Sequence, residues 1–155
     1  MRDLEWNKKI NRAAKVEKEI LKWLKKEVDK TATKPIFGSK YYDIMMDSGD
    51  VEVKEDRFAH KTGNYAVEYI DASNEPSGIG ITTARYFVIV DWNYVIFTET
   101  DNLKFIIENC VSKKTVSMGY TTQEGKRARG WLIPCDVVLH SPLVNVVNRW
   151  FPNNL

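Results

Sequence analysis

Residues 41–69 read YYDIMMDSGDVEVKEDRFAHKTGNYAVEY, and their pattern is the most informative in the chain about its fold. The pattern predicts three consecutive strands, separated by the turn DSGD and by a polar, basic loop. Gly49 can supply the positive φ that such a tight turn needs. The remaining elements are therefore interpreted as layers around a sheet that begins here.

Apolar and charged residues alternate in the second of these strands. Because successive side chains of a strand point to opposite faces, Val51 and Val53 are expected in the core. Asp50, Glu52 and Lys54 then share the opposite face. Two interpretations of this charged face are open. The simpler one is a solvated strand face with alternating charge, and the second is a functional site.

Asp43 on the first strand can face Glu52 across the hairpin, so that two carboxylates and Lys54 meet on one patch. An aspartate followed on the neighbouring strand by Glu-x-Lys resembles the PD-(D/E)XK nucleases, in particular small phage-type or Holliday-junction-resolvase-like members. The resemblance implies a restriction-endonuclease-like core and hydrolysis of DNA phosphodiester bonds. It implies Mg²⁺ as the cofactor, with Mn²⁺ as a substitute. The small size favours an endonuclease that acts on structured or duplex DNA, for which a homodimer would supply two cuts.

The resemblance also assigns roles to residues. Mg²⁺ bound by carboxylates polarises a phosphate and lowers the pKa of bound water. Asp43 and Glu52 are expected to be its ligands, with the carbonyl of Val53 as another ligand. The Lys54 ammonium is expected beside the attacking water and the phosphate. These four residues form the predicted catalytic centre.

The identity of the first aspartate is left open by its neighbours. Tyr41 and Tyr42 precede Asp43 where the motif's name has a proline. Asp47 and Asp50 are therefore possible substitutes for it.

A helix is predicted from Asp3 to about Lys30, and it carries a carboxylate within its apolar stripe. Glu17 lies near the centre of that stripe, where burial is costly without a partner. In the resembled family the first helix often lends a glutamate to the metal, so Glu17 is a candidate ligand; pairing with a lysine is the alternative. The stripe contains Trp6, Ile10, Ala13, Ala14, Ile20, Leu21, Leu24 and Val28.

Two further acidic positions are candidates for a metal site. Glu68 on the third strand is either an outer ligand of the site or a solvated strand residue. A second Glu-x-Lys copy at residues 124–126 has glycine in its centre and no strand before it that carries an aspartate. The second copy is therefore not expected to form a site.

Arg57, Lys61 and Arg85 flank the predicted site in sequence and are the best candidates for phosphate contacts. A solvated surface is the competing interpretation for these and the other basic residues. The net charge of +2 adds little, because it does not identify a nucleic-acid binder by itself.

The fold class predicted for the chain is α/β, with a mixed central sheet of about five strands flanked by helices. A single domain is expected over residues 1–155, with a core at about 5–110 and a C-terminal extension at 111–155. The apolar runs 86–90 and 94–98 suit central strands. The other expected elements are a short helix at 81–85, a helix at 102–110 capped by Asp101, a strand end at 131–134, an undefined region at 112–129 and a last helix beginning at Ser141-Pro142.

Composition narrows the function classes. Hydrophobic residues make up 43% and charged residues 28%, as in ordinary globular proteins. The sequence has no phosphate-binding Gly-x-x-x-x-Gly-Lys motif, no membrane span or signal peptide and no paired cysteine motif, so a cytoplasmic protein without a nucleotide cofactor is expected. His60 and His140 are too far apart to suggest a zinc site. The alternative to a nuclease is a noncatalytic module that binds nucleic acid or protein.

Overall fold

The computed structural model describes residues 2–119, 121–122 and 124–155, and it has an α/β fold with two sheets. Tyr120 and Gln123, within the region that the sequence left undefined, lie outside the described residues. The elements in chain order are α1 (Arg2–Glu27), β1 (Val51–Glu55), α2 (Ala59–Thr62), β2 (Asn64–Ile70), a 3₁₀ turn (Gly78–Gly80), β3 (Tyr86–Val90), β4 (Tyr94–Glu99), α3 (Thr100–Asn109), β5 (Lys114–Met118), β6 (Ala128–Pro134), α4 (Cys135–Leu139) and β7 (Val144–Asn148).

The larger sheet is mixed and has the strand order β1-β3-β4-β7. β1 is parallel to β3, whereas β3, β4 and β7 are successively antiparallel. The apolar runs of β3 and β4 occupy the two central positions, as predicted. Nearly all of their side chains are buried, on both faces of the sheet, which suits apolar residues throughout each run. The mixed sheet is thus confirmed, with four strands where about five were predicted.

The smaller sheet has the strand order β2-β6-β5. The prediction that β2 continues the sheet of β1 was wrong. Tyr65 and Val67 of β2 instead pack against Phe87 and Ile89 on one face of the larger sheet. α3 covers the same face, and its predicted buried side is confirmed; those residues are Leu103, Ile106 and Ile107.

The opposite face of the larger sheet is covered by the second half of α1. Val16, Ile20 and Leu24 are buried there against the face that carries Val51 and Val53. The predicted apolar stripe is only partly correct, because its N-terminal members extend past this packing. Trp6 is 59% exposed and Ile10 is 50% exposed.

The predicted first strand at residues 41–46 does not form as a regular strand. Isolated antiparallel bridges join Ile44 to Val51 and Thr33 to Met45, so only a minimal hairpin precedes β1. Gly49 has a φ of +143°, as expected for this turn. A Cβ at that position would approach the Arg85 side chain to 2.7 Å, so the turn needs glycine for space as well as for conformation.

Three further expectations were wrong. Residues 81–85 form no helix, and α3 begins at Thr100 after Glu99, so Asp101 lies inside the helix and does not cap it. The residues predicted as a last helix form strand β7, because Val147 pairs with Val95 of β4. The predicted strand at 131–134 is confirmed within β6, whereas β5 appears in the region that had no assigned structure.

A largely buried ionic network fixes β1 between α1 and the segment after β7. Arg12 of α1 donates two hydrogen bonds to the Glu55 carboxylate, at 2.6 and 2.8 Å. Arg149 lies 3.5 Å from the same carboxylate, and its side chain is only 4% exposed. The network therefore ties α1 and the segment after β7 to the strand that carries the predicted site.

No helix within the described ranges combines the length and the apolarity that crossing a membrane requires.

Candidate active site

Glu52 is the buried acid of β1, and it is only 4% exposed. Its Oε1 lies 2.9 Å from Nζ of Lys54, whose side chain is 52% exposed. The plain interpretation of a solvated strand face is therefore wrong for Glu52. A buried carboxylate is instead connected to a lysine whose side chain extends toward solvent.

Asp43 is attached to β1 through the backbone. Its Oδ2 accepts a 2.7 Å hydrogen bond from the N–H of Val53. The even-numbered residues along β1 direct their backbone groups toward β3. The Tyr86 N–H donates to the Asp50 carbonyl, and the Asp56 N–H donates to the Val90 carbonyl. The N–H and C=O of an extended residue point toward the same neighbour. The Val53 carbonyl therefore points away from β3, toward the edge where Asp43 lies.

Glu17 reaches this edge from α1 and is half-buried. Its Oε2 lies 3.7 Å from Nζ of Lys34, so it does pair with a lysine. It also lies within electrostatic range of Asp43, Glu52 and Lys54. The pairing of Glu17 with a lysine is therefore confirmed, and its role as a metal ligand stays a prediction.

Glu68 approaches from β2, on the other side of Glu52. Its Oε1 accepts a 2.6 Å hydrogen bond from the Ser77 hydroxyl, and its charge acts on both Glu52 and Lys54. Gly78 allows this arrangement, since a Cβ there would come within 2.4 Å of the Glu68 carbonyl oxygen. The position fits an outer member of the site.

These residues define a carboxylate cluster, formed by Glu17, Asp43, Glu52 and Glu68 with Lys34 and Lys54. It is assembled from α1, the segment before β1, β1 itself and β2. Four formal negative charges face two positive ones, so the cluster carries a net charge of −2 when all six groups are ionised. A net negative charge in a partly buried place favours either proton uptake or a bound cation.

Four residues of the cluster have shifted pKa values, and burial is the largest single cause in each. Burial raises the pKa of Glu52 above its ordinary value, and the nearby Lys54 offsets this only in part. Burial likewise raises the pKa of Asp43 despite the hydrogen bond from Val53. Burial and the charge of Asp43 raise the pKa of Glu17. Burial alone would lower the pKa of Lys54, but Glu52 and the other carboxylates raise it overall.

The donor atoms of the cluster suit Mg²⁺. The cluster offers oxygen atoms only, which suits a hard cation, and Mg²⁺ is commonly bound through one or two carboxylates with the rest of its shell made of water. Within the described ranges, no three His, Cys, Asp or Glu side chains are already close enough together to hold a metal ion. The residues that would hold Mg²⁺ are Asp43, Glu52 and the carbonyl of Val53, with Glu17 approaching from the helix.

The substitute aspartates lie elsewhere. Asp47 is exposed at the turn, where its backbone N–H donates to Thr31. The Asp50 carbonyl pairs with Tyr86. Neither contributes to the pKa shifts of the cluster, so Asp43 is the aspartate that joins Glu52 and Lys54.

In the second Glu-x-Lys copy, Lys126 lies in an exposed turn.

The three predicted phosphate contacts lie at the two ends of β1. Arg57 and Lys61 are exposed just beyond its C-terminal end. Arg85 lies near its N-terminal end, where it donates to the Ser48 carbonyl at 2.9 Å and pairs with Glu99. Arg57 also lines a surface pocket of about 470 Å³, together with Lys8 and Lys15 of α1. Arg57 and Lys61 are thus free to meet an anion, while Arg85 is engaged.

Sequence reasoning missed Lys34 and Ser77, the direct partners of Glu17 and Glu68. Both stand in connecting segments beside a proline, at Lys34-Pro35 and Pro76-Ser77. No periodic pattern marks such positions, so only the folded chain brings them to the cluster.

Comparisons of the chain with protein-family models, with curated proteins and with solved structures found no match. The PD-(D/E)XK resemblance therefore depends on the local residues and on the geometry of the carboxylate cluster.

Proposed function

We propose that the protein is a Mg²⁺-dependent nuclease that hydrolyses phosphodiester bonds of DNA. The observation that carries the proposal is the buried Glu52 within a cluster of net charge −2, beside a lysine that reaches solvent. A divalent cation would balance that charge. We further propose that α1, the mixed sheet and α3 form a variant of the restriction-endonuclease-like core, since a helical layer covers each face of the sheet.

Each residue of the cluster has a role in this proposal. Asp43, Glu52 and the Val53 carbonyl would hold Mg²⁺, and Glu17 would support the ion from α1. The ion, when bound, polarises the phosphate and lowers the pKa of water. The Lys54 ammonium orients the attacking water and stabilises the charge that develops on the phosphate. Ser77 holds Glu68 as an outer support of Lys54.

The substrate is expected to cross the β1 edge of the larger sheet, where the carboxylate cluster lies. Arg57 and Lys61 would contact the backbone phosphates beyond one end of the strand, and Arg85 would do so at the other end. Contacts on both sides of the cluster suit an endonuclease that acts on duplex or branched DNA, because such a substrate extends in both directions.

The test is cleavage of linear, single-stranded, flapped and four-way-junction DNA, with and without Mg²⁺. Wild type is compared with Lys54→Ala, and Lys126→Ala of the second Glu-x-Lys copy is the matched control. We expect metal-dependent cleavage that falls by at least about a hundredfold in Lys54→Ala, as when one charge-stabilising donor is removed. Lys126→Ala should cleave as wild type does. Equal cleavage by both variants would overturn the proposal.

A second candidate is a noncatalytic module that binds nucleic acid or protein through the same fold. The observation favouring it is that Arg57 and Lys61 are exposed, where they could contact a phosphate without any metal ion. Such a module would bind DNA equally well with Mg²⁺ or with a chelator and would cleave none of the substrates. Calorimetric titration with Mn²⁺ separates the candidates, because only the nuclease site should bind the ion and lose it in Glu52→Gln.

A further inference from the structure

Strand β7 leaves one edge of the larger sheet open. Among the described residues its strand neighbour is β4, and no other strand pairs with it. Its five residues, Val144 to Asn148, include no charged residue and no proline. An uncharged, unprotected edge strand is a template on which another strand can pair.

The other strand edges are closed or charged. At β1, Asp43 and Ile44 donate to the Val51 carbonyl, and the Asp43 carboxylate takes the next outward N–H, that of Val53. At β2, Pro76 forms an isolated antiparallel bridge with Ile70, and the Ser77 N–H donates to the Tyr69 carbonyl. The remaining edge strand, β5, begins at Lys114 and follows Lys113. Among the edges of the described strands β7 is the least protected, because its one contact of this kind is the 3.4 Å hydrogen bond from the Val144 N–H to the Ser141 carbonyl.

The direction of its free backbone groups follows from the ladder with β4. Arg149 donates its N–H to the Asn93 carbonyl, so residue 149 faces β4. Residues alternate in an antiparallel ladder, and therefore Asn145 and Val147 also face β4. Val144, Val146 and Asn148 therefore face outward. The Val144 N–H already donates to the Ser141 carbonyl at 3.4 Å, which leaves the Val144 carbonyl and the backbone groups of Val146 and Asn148 for a partner strand.

We propose that β7 pairs antiparallel with β7 of a second copy, forming a continuous eight-stranded sheet across a twofold axis at Val146. In this register the outward groups are self-complementary, because Val146 meets its own symmetry mate and Val144 meets Asn148 of the second copy. No like charges oppose each other in the paired strands. The partly exposed side chains beside the seam add apolar contact: Leu143, Val146 and Trp150.

The dimer leaves the carboxylate cluster accessible. β1 and β7 are the opposite edges of the larger sheet, so both copies of β1 lie at the outer edges of the eight strands. Their separation would be seven strand spacings, about 34 Å along a flat sheet. The consequence that one dimer carries two cleavage sites rests on the proposed function, whereas the dimer itself does not.

Sedimentation over a range of concentrations tests the dimer. We expect reversible dimerisation of the wild type, and at least a tenfold weaker association in Val146→Lys, which places two lysines opposite each other on the axis. Val111→Lys is the matched control, because Val111 is fully exposed outside the seam. A wild type that stays monomeric, or a Val146→Lys variant that dimerises like the control, would overturn the proposal.

Cysteine cross-linking tests the register. The two Val146 Cα atoms would be about 5.5 Å apart, within the range that a disulfide bridges. Under mild oxidation Val146→Cys should form a covalent dimer, whereas Asn145→Cys should not, since in this register Asn145 lies opposite Val147 of the second copy and not opposite its own symmetry mate. The wild type is the blank, because Cys110 is buried and Cys135 half-buried. Equal cross-linking of both variants would contradict this register. Dimerisation of Lys54→Ala, measured in parallel, separates this inference from the proposed activity.

Discussion

The backbone N–H of Val53 donates a 2.7 Å hydrogen bond to Oδ2 of Asp43, so β1 positions both predicted metal ligands. Asp43→Asn keeps an acceptor for this bond but removes the charge. We expect the variant to be at least as stable as wild type in chelator, because ionised Asp43 is disfavoured by burial. Saturating Mg²⁺, at about 100 times Kd, should stabilise wild type by about 2.7 kcal/mol and the variant by much less. Thermal unfolding with Mg²⁺ and with chelator measures both effects, and an equal Mg²⁺ shift in the two proteins would remove Asp43 from the site.

The pH dependence of stability follows from the raised pKa of Glu52. A carboxyl group with a raised pKa in the folded state stabilises the fold below its unfolded pKa of about 4.3. This stabilisation is lost as the pH rises through the folded value. In chelator, Glu52→Gln should therefore gain stability relative to wild type as the pH is raised from about 4 to 7. Urea unfolding at several pH values measures this difference, and a constant difference would contradict the cause assigned to the shift.

Loss of Glu55 should be severely destabilising, because it leaves Arg12 and Arg149 without their shared carboxylate. Breaking a buried ion pair in this way typically costs about 3–5 kcal/mol. The matched control is Glu99→Ala, since the Glu99–Arg85 pair is exposed and should contribute at most about 1 kcal/mol. Urea unfolding of Glu55→Ala and Glu99→Ala compares them, and similar losses would show that the network contributes no more than a surface pair.

Tyr65 donates its hydroxyl hydrogen to the buried carboxylate of Asp91, and the side chain of Tyr65 is fully buried. Burial and this hydrogen bond raise the pKa of Tyr65. Tyr65→Phe should destabilise the fold by about 1–3 kcal/mol, because Asp91 loses a donor that water cannot readily replace. Tyr94→Phe is the control, as no described residue bonds the Tyr94 hydroxyl. Equal unfolding free energies for the two variants would contradict the role given to the Tyr65 hydroxyl.

DNA affinity should depend on Arg57 and Lys61 through their charge. Replacing either with alanine should weaken binding uniformly across sequences and reduce the slope of log K against log salt by about 0.9. The control is Lys126→Ala, which removes an exposed lysine from the turn of the second Glu-x-Lys copy. Fluorescence anisotropy in Ca²⁺, at several salt concentrations, measures the slopes. Unchanged slopes in the Arg57 and Lys61 variants would exclude them as phosphate contacts.

The strands that sequence could predict are those whose pattern is local. β3 and β4 are continuous apolar runs, and VEVKE alternates clearly enough to place Val51 and Val53 in the core. The meeting of Asp43 with Glu52 and Lys54 was predictable for the same reason, since all three stand within one short segment. Glu17 was predictable because a carboxylate interrupts an apolar helical stripe.

The errors concern choices that distant residues decide. Leu143, Val146, Val147 and Trp150 have helical spacing, yet the segment is a strand because β4 offers a pairing edge. β2 leaves the sheet of β1 because β6 pairs with it from far along the chain. The burial of Glu52, which turns a charged strand face into a candidate site, depends on that displaced second sheet, and no local pattern indicates it.

The long-range pairings of β2 with β6 and of β4 with β7 also constrain the order of assembly during folding. Each sheet contains a partner from the last third of the sequence, and Arg149 completes the network around Glu55 from the same region. Proteins dominated by such nonlocal contacts fold slowly, since chain closure precedes the gain from pairing. The carboxylate cluster, although all six of its residues lie before residue 70, should therefore form among the last features of the fold.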